Sequence, residues 1–152
     1  MKKTTLMVCA LVMLTACTKS NSGSDTSSSA RASKAFVENF TANDSNVVYF
    51  AYDKSSLSSE AKKILMEKAK PIQDCQQLTF TIEGHADQRG TAEYNMGLGE
   101  RRANAVKSFL TNEHGVSSDR LTVISYGKEK LADDNMTAEA YAKNRRSVVV
   151  PN

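Results

Sequence analysis

Residues 83–106 read EGHADQRGTAEYNMGLGERRANAV. The alternating run 78–82 just before them predicts a strand. Gly84 and Gly90 bracket a turn that carries His85, Asp87 and Arg89. A helical pattern starts near Thr91, a good N-cap with Glu93 in the first turn. At 100° per residue, Tyr94, Leu98, Ala105, Val106 and Phe109 share one side of that helix, the side expected to face a core. Arg102 lies in the middle of it. A guanidinium on an apolar centre line is costly to bury without a partner. Arg102 therefore either neutralises Asp87 as a structural ion pair or lines a pocket with it. In a pocket, Arg102 would fork onto a carboxylate and Asp87 would hold an ammonium, which suits an amino-acid zwitterion. The residues alone leave both readings open.

Outward from this stretch the pattern is β-α-β-α-β-α-β. Residues 46–52 (NVVYFAY) form a first strand, and Ser58 or Ser59 caps a helix with Leu57, Ala61, Ile64, Leu65 and Ala69 on its apolar stripe. Pro71 is expected to end or kink that helix near Lys70. His114 and Gly115 stop the long second helix. Residues 121–126 (LTVISY) are the third strand, 137–144 a short helix and 146–150 (RSVVV) the last strand. The fold class expected is an α/β (α+β) sandwich, one sheet with helices packed on one face. Pattern does not decide the strand order.

The amino terminus has its own logic. Met1-Lys2-Lys3 followed by a short apolar run, 6–14, reads as a secretory signal peptide over 1–16, too short to span a bilayer. Leu14-Thr15-Ala16-Cys17 resembles the lipobox of bacterial lipoproteins, in which the signal is cut before the cysteine and Cys17 is acylated. In that system Thr18 after the cysteine implies sorting to the outer membrane. Residues 17–42 are then the lipidated Cys17 and a flexible tether rich in Ser, Asn, Thr and Gly. Residues 35–40 are either a short helix or more tether. The folded domain is expected over 43–152. Loss of Lys2 and Lys3 takes the 20 basic side chains to 18 against 17 acidic ones, net +1, and gives no argument for nucleic acid. With Cys9 removed and Cys17 acylated, Cys75 is expected to be a lone, buried, inert thiol.

Enzyme chemistry finds no support. No G-x-S-x-G, H-E-x-x-H or P-loop is present, and His85 and His114 sit on different elements without metal-ligand spacing. Gly97 and Gly99 fall inside a helical pattern rather than after a strand. No cofactor is expected.

The segments EGHADQRGTAEYN, LGERRANAV, ISYGKE and KNRRSVVV strongly resemble the OmpA-like peptidoglycan-binding domain family, over about 47–150. The resemblance implies a β/α/β/α/β-β domain with a mixed sheet. It implies peptidoglycan as partner, bound through the diaminopimelate of the stem peptide. Asp87 falls on the Asp of the family's G-H-x-D turn, and Arg102 on the second Arg of its L-x-x-R-R segment. Asn95 and Leu98 match positions bordering the same pocket, and Tyr52 and Asp53 a second wall. It also implies a tether between outer membrane and wall, used in envelope integrity and division, and a periplasmic TolB-type propeller as partner. The alternative is an outer-membrane lipoprotein acting mainly as a protein-interaction module. Arg145 and Arg146 match the family's N-R-R and are read as anchors of the last strand. The family's proline after ISYGKE is replaced here by Lys130-Leu131, followed by Asp133-Asp134. Arg102→Ala is expected to spare the fold if the residue faces a pocket.

Overall fold

The computed structural model describes residues 26–152, with side chains from Lys34 onward except that of Asn43. The expected signal peptide, Cys17 and the first part of the tether lie outside the described residues. Four strands form one sheet in the order β1-β4-β2-β3: β1 (Val47–Tyr49), β2 (Phe80–His85), β3 (Leu121–Gly127) and β4 (Arg146–Pro151). β2 and β3 are parallel, and β4 runs antiparallel to both β1 and β2. The sheet is therefore mixed, as the resemblance implied. Helices α1 (Thr26–Thr41), α2 (Ser59–Asp74) and α3 (Ala92–Asn112) cover one face, and α4 (Ala138–Asn144) leads into β4. The core lies between them: Val48, Phe80, Ile82, Leu121 and Val149 from the sheet meet Leu65, Ile72, Val106 and Leu110 from α2 and α3.

Four local expectations change. Helix α1 takes in residues that the tether reading assigned to linker. Phe36 and Phe40 stack one turn apart at 5.5 Å, and Phe40 lies 5.5 Å from Phe80. Two buried aromatic rings at helical spacing make this segment part of the core. Lys68 Nζ donates to the Phe40 carbonyl at 2.7 Å near the helix end. Helix α2 runs through Pro71 to Asp74 instead of stopping at Lys70. The proline falls in the last turn, and burial of Ile72 and Cys75 holds that turn down. Arg120 supplies the missing partners there, donating from Nη2 to the carbonyls of Ile72 (2.9 Å) and Cys75 (2.6 Å). Cys75 is buried as expected, but it is disulfide-bonded rather than a lone thiol. Cys9 and Cys17 are outside the described residues.

The fourth change is the face of α3. Its buried positions are Asn95, Leu98, Gly99, Arg102, Ala103, Val106 and Leu110, whereas Tyr94 is half exposed. The helix is rotated because β2 and α3 touch backbone to backbone. A Cβ on Gly84 would stand 1.8 Å from the Gly99 carbonyl oxygen, and one on Gly99 would stand 2.4 Å from Ser125 Oγ. That contact needs glycine on both elements, and it fixes which side of α3 looks inward.

Candidate functional site

The site forms where β2 ends and α3 begins. The parallel register of β2 on β3 shifts between Gly84 and His85, and Ala86 N–H then donates to the Gly127 carbonyl at 2.7 Å. This irregularity turns the chain off the sheet, so Asp87 points across the start of α3. Thr91 caps that helix as expected, accepting from Tyr94 N–H at 3.1 Å. Asn95 Nδ2 reaches back to the Arg89 carbonyl at 2.7 Å and closes the turn.

All six residues expected at a ligand site, Tyr52, Asp53, Asp87, Asn95, Leu98 and Arg102, line a single cavity of about 260 Å³. That is just below the roughly 300–1,000 Å³ of ordinary small-molecule pockets and suits an amino-acid-sized group. Arg89, Gly90 and Tyr94 complete the lining. Asp53 holds a left-handed backbone (φ 55°), and its carboxylate accepts from the Tyr94 hydroxyl across the mouth.

Arg102 is fully buried. Its Nε donates to the Lys54 carbonyl (2.9 Å), Nη1 to that of His85 (2.7 Å) and Nη2 to that of Ala51 (3.3 Å). The guanidinium carbon lies 5.2 Å from the centre of the Phe50 ring. Burial lowers the Arg102 pKa to about 10, against the pull of Asp87, and leaves it protonated at neutral pH. It makes no ion pair with a carboxylate among the described residues. The structural Asp87–Arg102 pair considered from the sequence is therefore absent. Three of the five N–H bonds are taken, which leaves one on each terminal nitrogen.

Asp87 is paired elsewhere. Arg89 grips it with Nη2 to Oδ2 at 2.6 Å, Nε to Oδ1 at 3.2 Å and its own backbone N–H to Oδ1 at 3.1 Å. Arg145 Nη1 stands 3.5 Å from Oδ2. Burial opposes ionisation of Asp87, but the hydrogen bonds and charge of Arg89, with that of Arg145, outweigh it and hold the carboxyl below its usual range. The lining sets two guanidinium groups, Arg89 and Arg102, against two carboxylates, Asp53 and Asp87, a balance that suits a ligand with one charge of each sign.

Pattern reading missed three supports. Asn144 is fully buried: its Oδ1 accepts from Ala132 and Asp133 N–H, and its Nδ2 donates to Gln88 Oε1 at 3.0 Å. It ties the Asp87 turn to the proline-free loop at 128–136. His85, also buried, reaches the Lys130 carbonyl from Nδ1 at 3.1 Å. Arg145 joins the site as well as anchoring Phe50, whose carbonyl it reaches at 3.0 Å, while Arg146 meets the Lys130 carbonyl at 3.4 Å. A lone Asn before a strand carries no periodic signal. The paired arginines of N-R-R are visible in the sequence, but pattern alone makes them strand anchors only.

Residues 49–145 match the model of the OmpA family. The peptidoglycan-associated lipoprotein of Brucella melitensis is 40% identical over 115 residues, covering 76% of this chain and 68% of the relative. The protein of the same name from Haemophilus influenzae is 35% identical over 147 residues, 97% of this chain and 95% of the relative. Among solved structures, the peptidoglycan-associated lipoprotein from Burkholderia pseudomallei superposes with a TM-score of 0.68 at 34% identity, covering 70% of this chain and 90% of that one. The chain belongs to the OmpA family, as a member of its peptidoglycan-associated lipoprotein type.

Proposed function

We propose that this chain is a cell-envelope lipoprotein, facing the periplasm, that binds peptidoglycan non-covalently through the diaminopimelate of the stem peptide. The observation that carries the proposal is the state of Arg102: buried, charged, held by three carbonyls, without a carboxylate, and bordering a cavity shared with Asp87. A zwitterionic amino-acid centre supplies a carboxylate for Arg102 and an ammonium for Asp87. Asn95 and Leu98 form the floor in this reading, and Tyr52 and Asp53 the outer wall. No step of bond making or breaking is involved, and the protein acts as an anchor rather than an enzyme. Lipid on Cys17, outer-membrane attachment and a role in the Tol–Pal system with a TolB-type propeller partner belong to the same proposal and rest on the family resemblance.

Calorimetric titration with a diaminopimelate-containing stem peptide, beside a lysine-containing control, tests this reading. Heat with the first peptide and none with the control is expected. Equal binding of both would sink the role of the carboxylate assigned to Arg102, and absence of heat with either would move the function to a protein partner.

A further inference from the structure

The two charged groups assigned above to the ligand are not open to it. Asp87 is 5% exposed and Arg102 0%. What stands over Asp87 is Arg89, whose side chain is 40% exposed and whose guanidinium forks onto the carboxylate. That guanidinium also lies over two rings, with its carbon 4.1 Å from the centre of Tyr52 and 4.5 Å from that of Tyr141. Cation–π contacts with two rings and a bidentate carboxylate are the features of a cation-binding cage. The cage is filled by a residue of the same turn, two positions from the aspartate.

We propose that Arg89 is an internal occupant of the cation subsite, displaced when the ligand's ammonium binds, and thereby a residue that sets how tightly the pocket holds its ligand. This inference rests on the diaminopimelate reading above. Asp87 does not lose charge compensation in the exchange: Arg145 Nη1 remains 3.5 Å from Oδ2, and the Arg89 backbone N–H stays on Oδ1. The displaced side chain has somewhere to go, because it is already partly exposed to solvent. A ligand with a carboxylate but no ammonium would meet Arg102 only behind an undisplaced Arg89. The exchange is therefore confined to ligands that carry an ammonium. It also sets affinity, because every binding event must first break the Arg89–Asp87 fork.

The test compares the purified full-length wild-type protein with Arg89→Ala and Arg89→Lys, by calorimetry with the diaminopimelate stem peptide and with the same peptide lacking the terminal-centre ammonium. Arg89→Ala is expected to bind the first peptide about three- to tenfold more tightly, with Arg89→Lys between. Discrimination against the ammonium-free peptide, which leaves the Arg89–Asp87 fork intact, should widen in Arg89→Ala. A tighter complex is not an effect that general structural damage produces. Equal or weaker binding by Arg89→Ala overturns the internal-occupant role and makes Arg89 a bystander or a direct ligand contact. If neither wild type nor variant binds the first peptide, the diaminopimelate reading falls and this inference falls with it.

Discussion

Two arginines in this domain are built almost alike and sit at opposite ends of the parallel β2–β3 pair. Arg102, at the carboxyl end, donates to the carbonyls of Lys54, His85 and Ala51 and lies 5.2 Å from the Phe50 ring. Arg120, at the amino end, donates to those of Leu78, Ile72 and Cys75 and lies 5.6 Å from the Phe80 ring. Burial lowers the pKa of both, but only Arg102 has carboxylates, Asp87 and Asp53, pulling it back up. Arg120 caps the last turn of α2 and borders no cavity of the site. A guanidinium held on three carbonyls, as both of these are, is thus not by itself a mark of function. What separates the two is the cavity and the aspartate that shares it with Arg102.

The largest expected effect follows from that difference. Arg102→Ala should lower affinity for the diaminopimelate peptide by roughly 100-fold, since two charge-assisted hydrogen bonds at about 1.5 kcal/mol each are lost. It should also lower stability by about 2 kcal/mol, because carbonyls of Ala51, Lys54 and His85 lose their donor. A loss of that size weakens the domain without unfolding it, in keeping with a residue that faces a pocket. Arg120→Ala should cost a similar 2–3 kcal/mol in urea unfolding and leave affinity per folded molecule unchanged. If Arg120→Ala weakened binding as much as Arg102→Ala, the distinction between the two ends would collapse.

The contrast also shows what the chain discloses before it folds. Arg102 was conspicuous because it interrupts an apolar helical stripe, and Asp87 because it sits in a glycine-bounded turn. The cap at Thr91 and the stop at Gly115, where Val116 N–H returns to the Leu110 carbonyl at 3.0 Å, were also legible, because capping is local chemistry. Arg120 was not: it follows no stripe, and its partners lie more than 40 residues away. The same holds for Asn144, which links α4 to Gln88. The true face of α3 was hidden for a different reason, since the Gly84–Gly99 contact that rotates it is a property of two elements together. Pro71 misled because a helix-breaking residue in a last turn is tolerated when tertiary contacts hold that turn.

Acid should loosen the two ends unequally. Burial, with the nearby charge of Arg146, lowers the His85 pKa to about 4 from 6.5, so the folded protein keeps the ring neutral where the unfolded chain protonates it. The stability this contributes is complete above about pH 6.5 and is lost as the pH falls towards 4. Its size is roughly 1–3 kcal/mol. His85→Gln should flatten that part of the pH profile of the urea midpoint. In the wild type, amide exchange at 130–135, which His85 and Asn144 hold, should accelerate before exchange at Leu78 and Arg120 does. Simultaneous acceleration at both ends would mean that the titrating group acts globally and is not a property of the site.

The smallest effect probes the pocket's rim. Tyr94→Phe removes the hydroxyl that Asp53 accepts from at the mouth of the cavity. Both partners are exposed, so water replaces the lost bond and stability should shift by no more than about 0.5 kcal/mol. Affinity for the diaminopimelate peptide should change by less than about threefold, because the hydroxyl engages neither Asp87 nor Arg102. The value of so small a prediction is its asymmetry. A tenfold loss would assign Asp53 and its tyrosine a direct share of the ligand and shift weight from the buried pair to the outer wall. A near-silent substitution, set beside a crippled Arg102→Ala, would locate the binding energy at the one end of the sheet where a buried guanidinium, a buried carboxylate and a cavity coincide.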